Sequence, residues 1–320
     1  MTDPFEAVAG HQRSLALLRH QIESGRLAHA YLFVGEPMLG KTTVARALAG
    51  AVLPPTPLVR NPDYWEDDRP EALKIDELRL LPDRQPDRHQ QTLQAFLSMR
   101  PAQGERRVAM ISDVGRLPGA VQGILLKTLE EPHPGRIIIL TTPSLSPFVV
   151  LPTVVSRCQR ISFHGVEREE VLQLLLTRGA EEASAQLLAE LCRGRPGWAV
   201  RALADADVVE RHERWARRLD ETLGAPADVA LSLAADLDLV TSEWRRRGPE
   251  AQAAENPVDM ALASWQLHLR QRMADDVQPQ ARARWARLLE RSYDVVGYLE
   301  QNVSARLALE VFLLEVAHAG

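Results

Sequence analysis

Cysteine is nearly absent from this chain: its 320 residues hold two, Cys158 and Cys192. Two thiols that far apart build neither a disulfide framework nor a four-cysteine zinc site, and buried thiols are the ordinary reading of both. Aromatic residues are scarce at 5%, which argues against rows of rings for stacking bases. Four of the six tryptophans fall after residue 210 and read as core or interface anchors. Lysine is rare as well, with Lys41, Lys74 and Lys127 the three among 38 basic residues. No apolar run approaches the roughly 20 residues needed to span a bilayer. The opening Met1-Thr2-Asp3-Pro4-Phe5-Glu6 lacks the basic-then-apolar order of a secretory signal. A cytoplasmic protein without membrane contact is expected. Positive charge is not in excess either. A formal net charge of −5 at pH 7 argues against a chain that grips phosphate backbones by itself. The densest basic run, Arg245-Arg246-Arg247, reads as a solvated helix face.

What is present is a complete phosphate-binding loop, Gly35-Glu36-Pro37-Met38-Leu39-Gly40-Lys41-Thr42, of the pattern G-x-x-x-x-G-K-[ST]. Its glycines let backbone N–H groups close around phosphates, Lys41 reaches the outer phosphates, and the Thr42 hydroxyl is placed to ligand Mg²⁺. The flanks fit. His29 to Val34 reads as a short buried strand, and Lys41 to Leu53 carries Val44, Leu48 and Val52 at helical spacing. An anion held there faces a helix N-terminus.

Hydrophobic content of 45% with 25% charged residues is that of a globular protein, and the length predicts two or three domains. From residue 8 to about 163 helix and strand alternate, the pattern of an α/β domain with a mostly parallel sheet. Further strands are predicted at Arg107 to Ile111, Arg136 to Thr141 and Gln159 to Phe163. A helix with Val121, Ile124, Leu125 and Leu129 on one face ends before Pro132. Residues 53 to 70, with Pro54, Pro55, Pro57, Pro62 and Pro70, read as an irregular loop. Beyond Gly165 only helical periodicity remains. Short helices cover roughly 166 to 206, the first with Val171, Leu172, Leu174 and Leu175. Later ones carry core stripes: Met260 to Met273, then Trp285, Leu288, Leu289, Val296 and Leu299, and finally Leu307, Val311 and Leu314.

Two further features bear on chemistry. A phosphate-loop ATPase needs an acidic site on a neighbouring strand, where one carboxylate holds Mg²⁺ and a following Glu polarises water. Here the strand Val108 to Ile111 ends in Ser112-Asp113, and serine offers no negative charge. Either the metal site is weakened, or Asp113 takes over as its carboxylate. The second feature is Ser156-Arg157-Cys158, approached by a short helix in Leu151-Pro152-Thr153-Val154-Val155. Arg157 either reaches a γ-phosphate held by a neighbouring subunit or makes a structural salt bridge.

Together these residues resemble the bacterial clamp-loader branch of the AAA+ ATPases. The segments that carry the likeness are Gly25 to Gly35, the phosphate loop, Leu125-Leu126-Lys127-Thr128-Leu129-Glu130-Glu131-Pro132, and Leu151-Pro152-Thr153 with Ser156-Arg157-Cys158-Gln159. The likeness covers about residues 8 to 203; the C-terminal third resembles the family only in pattern, most of all from Asn302 to Leu314. It implies an α/β P-loop AAA+ nucleotide-binding domain at 1–164, a helical lid at 165–206 and an all-α collar for oligomerisation at 207–320. It implies ATP or ADP with Mg²⁺ at Gly35, Glu36, Pro37, Met38, Leu39, Gly40, Lys41, Thr42 and Thr43. Asp113 and the first sensor, Thr142, stand beside them, with Thr42 and Asp113 as the candidate metal ligands. Arg157 matches the arginine finger that acts in trans on an adjacent motor subunit. The implied partners are gamma/tau-like motor subunits, a delta subunit, the sliding clamp and, through the complex, primed DNA.

Two departures shape the expectation. Family members often carry a four-cysteine zinc module after the helix that follows the phosphate loop; the stretch 53 to 70 stands in its place, so no zinc is expected. The second sensor, an arginine in active motor subunits, aligns near Gly197, with Arg195 and Arg201 out of register. With Ser112, this predicts a subunit of the polymerase holoenzyme that binds nucleotide but hydrolyses little. The rival readings are a catalytically active motor subunit that uses Asp113 and, against the acidic net charge, a self-sufficient DNA-binding module.

Overall fold

The computed structural model describes residues 3–69, 75–78, 91–205, 207–246, 256–301 and 303–319. Pro70, Arg247 and Asn302 lie outside the described residues. The chain divides into two compact units, Met1–Ala180 with Cys192–Val200, and Glu181–Leu191 with Arg201–Gly320.

The first unit is built on a five-stranded parallel sheet in the order β2-β3-β4-β1-β5. The strands are β1 (Ala30–Val34), β2 (Tyr64–Asp67), β3 (Arg107–Ile111), β4 (Arg136–Thr142) and β5 (Gln159–Ser162). Successive strand side chains point to opposite faces, and the apolar runs sort accordingly. Tyr31, Phe33, Val108, Met110, Ile137 and Ile139 join one cluster with Leu15, Leu18, Val44 and Leu48. The last four come from α1 (Gln12–Ser24) and α2 (Lys41–Val52). Ala30, Leu32, Ala109, Ile111, Ile138 and Leu140 join the other, with Leu93 and Phe96 of α4 (Leu93–Ser98) and Val121, Leu125 and Leu129 of α5 (Gly119–Glu130). A short α3 (Ile75–Leu78) adds Leu78 to this second layer. Both faces are thus covered, as a parallel sheet requires. Each fully buried Leu, Ile or Phe contributes about 1.5–3 kcal/mol, so these two layers hold the strands in register. Because the strands run parallel, the loops after β1, β3 and β4 emerge side by side at one edge, where α/β sheets bind ligands.

The stretch 53 to 70 is not an irregular loop. It holds a 3₁₀ turn, Leu58–Arg60, and the edge strand β2. Pro54, Pro55, Pro57 and Pro62 precede that strand rather than interrupt it, and β2 pairs with β3 alone, the position where neighbouring proline is tolerated. The short α6 (Pro152–Val155) precedes β5, and past β5 the described residues of this unit form α7 (Arg168–Thr177) and the start of α9 (Pro196–Leu203).

The second unit is helical: α8 (Glu182–Leu191), the end of α9, α10 (Val208–Thr222), α11 (Ala227–Arg246), α12 (Pro257–Asp275), α13 (Pro279–Glu300) and α14 (Ala305–His318). Asn256 caps α12 by accepting from Val258 N at 3.1 Å, with Pro257 at the first helical position. Trp265 lies fully buried at the centre. Its Nε1–H donates to the Trp215 carbonyl at 2.8 Å, and its ring packs 5.8 Å from that of Phe312. Trp285 and Leu288 are buried, and Leu289, Val296, Leu299 and Leu314 pack against the same core. Leu307 and Val311 do not belong to it. The face of α14 turned inward carries Leu309, Phe312, Leu313 and Val316, which leaves Leu307 and Val311 on the opposite side, both more than half exposed. No described helix is long and apolar enough to cross a membrane.

Candidate nucleotide-binding site

The loop from Gly35 to Gly40 joins β1 to α2 and is fixed from several sides. The Gly35 N–H donates to the Thr142 carbonyl at 3.1 Å. A Cβ at Gly35 would run into the Phe163 carbonyl, and its φ of 151° is itself a glycine conformation. Met38 and Gly40 sit at φ 64° and 95°, and Gly40 caps α2. Leu39 turns inward, 3% exposed, and anchors the loop in the core. Its carbonyl accepts from His11 Nε2 at 2.8 Å, and the His11 ring packs edge-on against Phe163 at 4.7 Å.

The loop encloses a cavity of about 320 Å³, at the small end of ligand pockets. Of the expected site residues, Pro37, Met38, Gly40, Lys41, Thr42, Thr43, Asp113 and Thr142 line it. Gly35, Glu36 and Leu39 shape the loop without lining the cavity. Ser112, Thr141, Pro143 and Gly197 complete the wall.

Lys41 is buried, and its Nζ donates to the carbonyls of Gly35 and Glu36, each at 2.5 Å. Burial pushes its ammonium down to about 8, while the Asp113 and Glu36 carboxylates act in the opposite direction. A poorly solvated cation beside a helix N-terminus is well matched to an anion. These residues fit the phosphates of a nucleotide.

The side facing Thr42 is less suited to a divalent cation. Thr42 Oγ1 lies 3.4 Å from Ser112 Oγ, hydroxyl against hydroxyl. Asp113 Oδ1 accepts from the Gly115 N–H at 3.1 Å and caps the 3₁₀ turn Val114–Arg116, with its own backbone at φ 52° and its N–H donating to Thr141 Oγ1 at 2.8 Å. A further carboxylate at the sheet edge, Asp67 at the end of β2, is buried and ion-paired to Arg69 and Arg116. Thr142 is fully buried; its Oγ1 donates to the Ser144 carbonyl at 2.8 Å. Among the described residues no three His, Cys, Asp or Glu side chains come together as a metal cluster.

Arg157 stands apart from this cavity, just after α6, where it pairs with Glu130. Cys158 and Cys192 are not joined in a disulfide. Cys192 is buried, whereas Cys158 is only partly so, and burial pushes its thiol up to about 12. His11 was not evident from the sequence: its contact with the loop spans 28 residues of chain, and no local motif marks it.

Residues 10–167 match the family model described as DNA polymerase III, delta subunit. DNA polymerase III subunit tau of Escherichia coli (strain K12) is 28% identical over a 214-residue alignment that covers 59% of this chain and 31% of that protein. Subunit delta' of Bacillus subtilis (strain 168) is 28% identical over 193 residues, 56% of this chain and 55% of that one. The chain thus spans about a third of the first relative's length and about half of the second's. Among solved structures, a DNA polymerase III gamma subunit-related protein of Thermotoga maritima superimposes with a TM-score of 0.43 at 18% identity, over 96% of this chain and 99% of that one. Over residues 10–167, about half of its length, the chain is similar to DNA polymerase III clamp-loader subunits.

Proposed function

We propose that this chain is a delta-prime-like, non-motor subunit of the DNA polymerase III clamp loader. It holds ATP or ADP at Gly35–Thr42 with little turnover and supplies Arg157 to the nucleotide of a neighbouring motor subunit. The observation that carries the reading is the wall opposite Lys41 and Thr42. Ser112 Oγ lies 3.4 Å from Thr42 Oγ1, where Mg²⁺ needs a carboxylate, and Gly197 offers no charge toward a phosphate. Lys41 and the loop supply binding groups, while Ser112 and Gly197 on the cavity wall supply neither a carboxylate nor a cation.

In this reading residues 1–164 form the nucleotide-binding domain, 165–206 the lid and 207–320 the collar. The exposed Leu307 and Val311 on α14 support a collar that meets other subunits. Gamma/tau-like motor subunits and a delta subunit are its neighbours, and the sliding clamp and primed DNA are reached through the complex in the cytoplasm. Two measurements test it. The purified chain should show steady-state ATP turnover far below that of a motor subunit. Arg157→Ala should lower DNA-stimulated turnover of the reconstituted complex while assembly is unchanged. Motor-level turnover by the lone chain, abolished by Lys41→Ala, would instead establish the rival reading. That rival is favoured by one observation, the Asp113 carboxylate on the cavity wall.

A further inference from the structure

The arginine assigned above to a neighbour's nucleotide is held by its own chain. Arg157 Nη2 pairs with Glu130 Oε1 at 2.5 Å. Its Nη1 donates to the Thr153 carbonyl at 2.9 Å and, more weakly, to Ser156 Oγ at 3.4 Å. A guanidinium carries five N–H donors. Nη1 is hydrogen-bonded and Nη2 is ion-paired, and among the described residues nothing accepts from Nε–H. The side chain is a third exposed. What the chain leaves open is an N–H donor on a guanidinium, the group that recognises a phosphoryl group.

Glu130 is oddly placed for any other purpose. It is the last residue of α5, where the helix presents unpaired carbonyls and a carboxylate is disfavoured by the macrodipole. Its single ion-pair partner among the described residues is Arg157. The helix that carries it is firmly set. Val121, Leu125 and Leu129 are buried in the sheet layer. Gln122, 3% exposed, donates to the Leu117 and Val149 carbonyls at 3.0 Å each and accepts from Leu151 N at 2.9 Å. That one side chain ties α5 to the segment entering α6. Toward the other end of α5, Leu129 shares a buried cluster with Val154 of α6, so the two helices that carry Glu130 and lead to Arg157 keep a fixed spacing.

We infer that Glu130 is a positioning residue for Arg157: it orients the guanidinium so that the open donor faces outward to the partner subunit's nucleotide phosphates. This inference rests on the trans role of Arg157 proposed above. An arginine that reaches its target by chance rotamers loses much of the benefit of being in place.

The test is a double-mutant cycle in the clamp-loader complex reconstituted with motor subunits, reading DNA-stimulated ATP turnover. Glu130→Gln, which keeps the size and removes the charge, should lower kcat about 3- to 10-fold with KM for ATP unchanged and assembly intact. Glu130→Asp should recover part of the loss. In the Arg157→Ala background, Glu130→Gln should add nothing. Loss of turnover in Arg157→Ala with parental kinetics in Glu130→Gln would overturn the inference and leave the trans role standing, as would equal losses from Glu130→Gln with and without Arg157. Parental turnover in Arg157→Ala would overturn both.

Discussion

The backbone N–H of Gly197 donates to the carbonyl of Met38 at 2.8 Å, so the first turn of α9 rests on the phosphate-binding loop. A Cβ at position 197 would stand 2.8 Å from that same oxygen, closer than packed atoms allow. Position 197 is thus closed to any side chain unless loop or helix moves. Gly197→Arg should therefore fail to create an ATPase. Both Gly197→Arg and Gly197→Ala should lose about 1–3 kcal/mol of stability, because the conflict begins at Cβ, and both should bind nucleotide more weakly. Thermal unfolding with and without ADP reads both effects. Motor-level turnover in Gly197→Arg would show that the loop yields freely to a side chain at this position.

Ser112 offers the complementary experiment. Its hydroxyl is 3.4 Å from that of Thr42, so Ser112→Asp would put a carboxylate beside the threonine oxygen. A charged ligand gained at a divalent ion contributes about 1.5 kcal/mol, or about tenfold in affinity. Titration with a fluorescent nucleotide should show about tenfold tighter binding in Mg²⁺ and weaker binding in EDTA, where the new carboxylate faces phosphate without a cation between them. Identical behaviour of variant and parent in both buffers would mean that Mg²⁺ is not held on this side of the cavity.

Asp113 separates the two readings of the site. Its Oδ1 accepts from Gly115 N–H and its backbone sits at φ 52°, a conformation that Asn also tolerates. Asp113→Asn keeps the acceptor and removes the charge, so stability should stay within about 0.5 kcal/mol of the parent. Asp113→Ala should lose about 1 kcal/mol with the cap. If Asp113 serves the turn rather than a metal, Asp113→Asn leaves the Mg²⁺ dependence of nucleotide binding unchanged. A marked loss of that dependence would favour the motor-type reading.

What could be read from the sequence was what is local or periodic. The phosphate loop is eight contiguous residues between a strand and a helix, and continuous apolar runs, buried on both faces, mark β1, β3 and β4. The edge strand β2 escaped because proline density ahead of it masks a run of four residues, Tyr64–Asp67. Leu307 and Val311 were mistaken for core because spacing alone does not say which of two apolar faces turns inward; α14 carries both. The restraint of Arg157 by Glu130, the seat of Gly197 on Met38 and the hold of His11 on Leu39 join residues far apart in the chain. No propensity or motif encodes them, since each exists only once the sheet has brought its loops to one edge.

His11 gives a prediction in pH. Its Nε2 lies 2.8 Å from the Leu39 carbonyl, which assigns the proton of the neutral ring to Nε2. Burial holds its pKa below the ordinary histidine value, against an opposing contribution from that carbonyl. The folded state therefore resists protonation that the unfolded chain accepts. As pH falls below about 6.5, the unfolded chain takes up the proton first, so stability is full at neutral pH and is lost between about 6.5 and the lower folded value. The limiting slope is about 1.4 kcal/mol per pH unit, and solvent reaching the partly exposed ring makes the realised slope smaller. His11→Gln keeps an N–H donor for Leu39 and cannot titrate. Its stability should match the parent at pH 8 and fall less steeply toward pH 5. His212, whose pKa burial also lowers, contributes equally to both proteins and cancels in the difference. Denaturant unfolding at half-unit pH steps reads that difference directly, and parallel curves would show that His11 carries no linked proton.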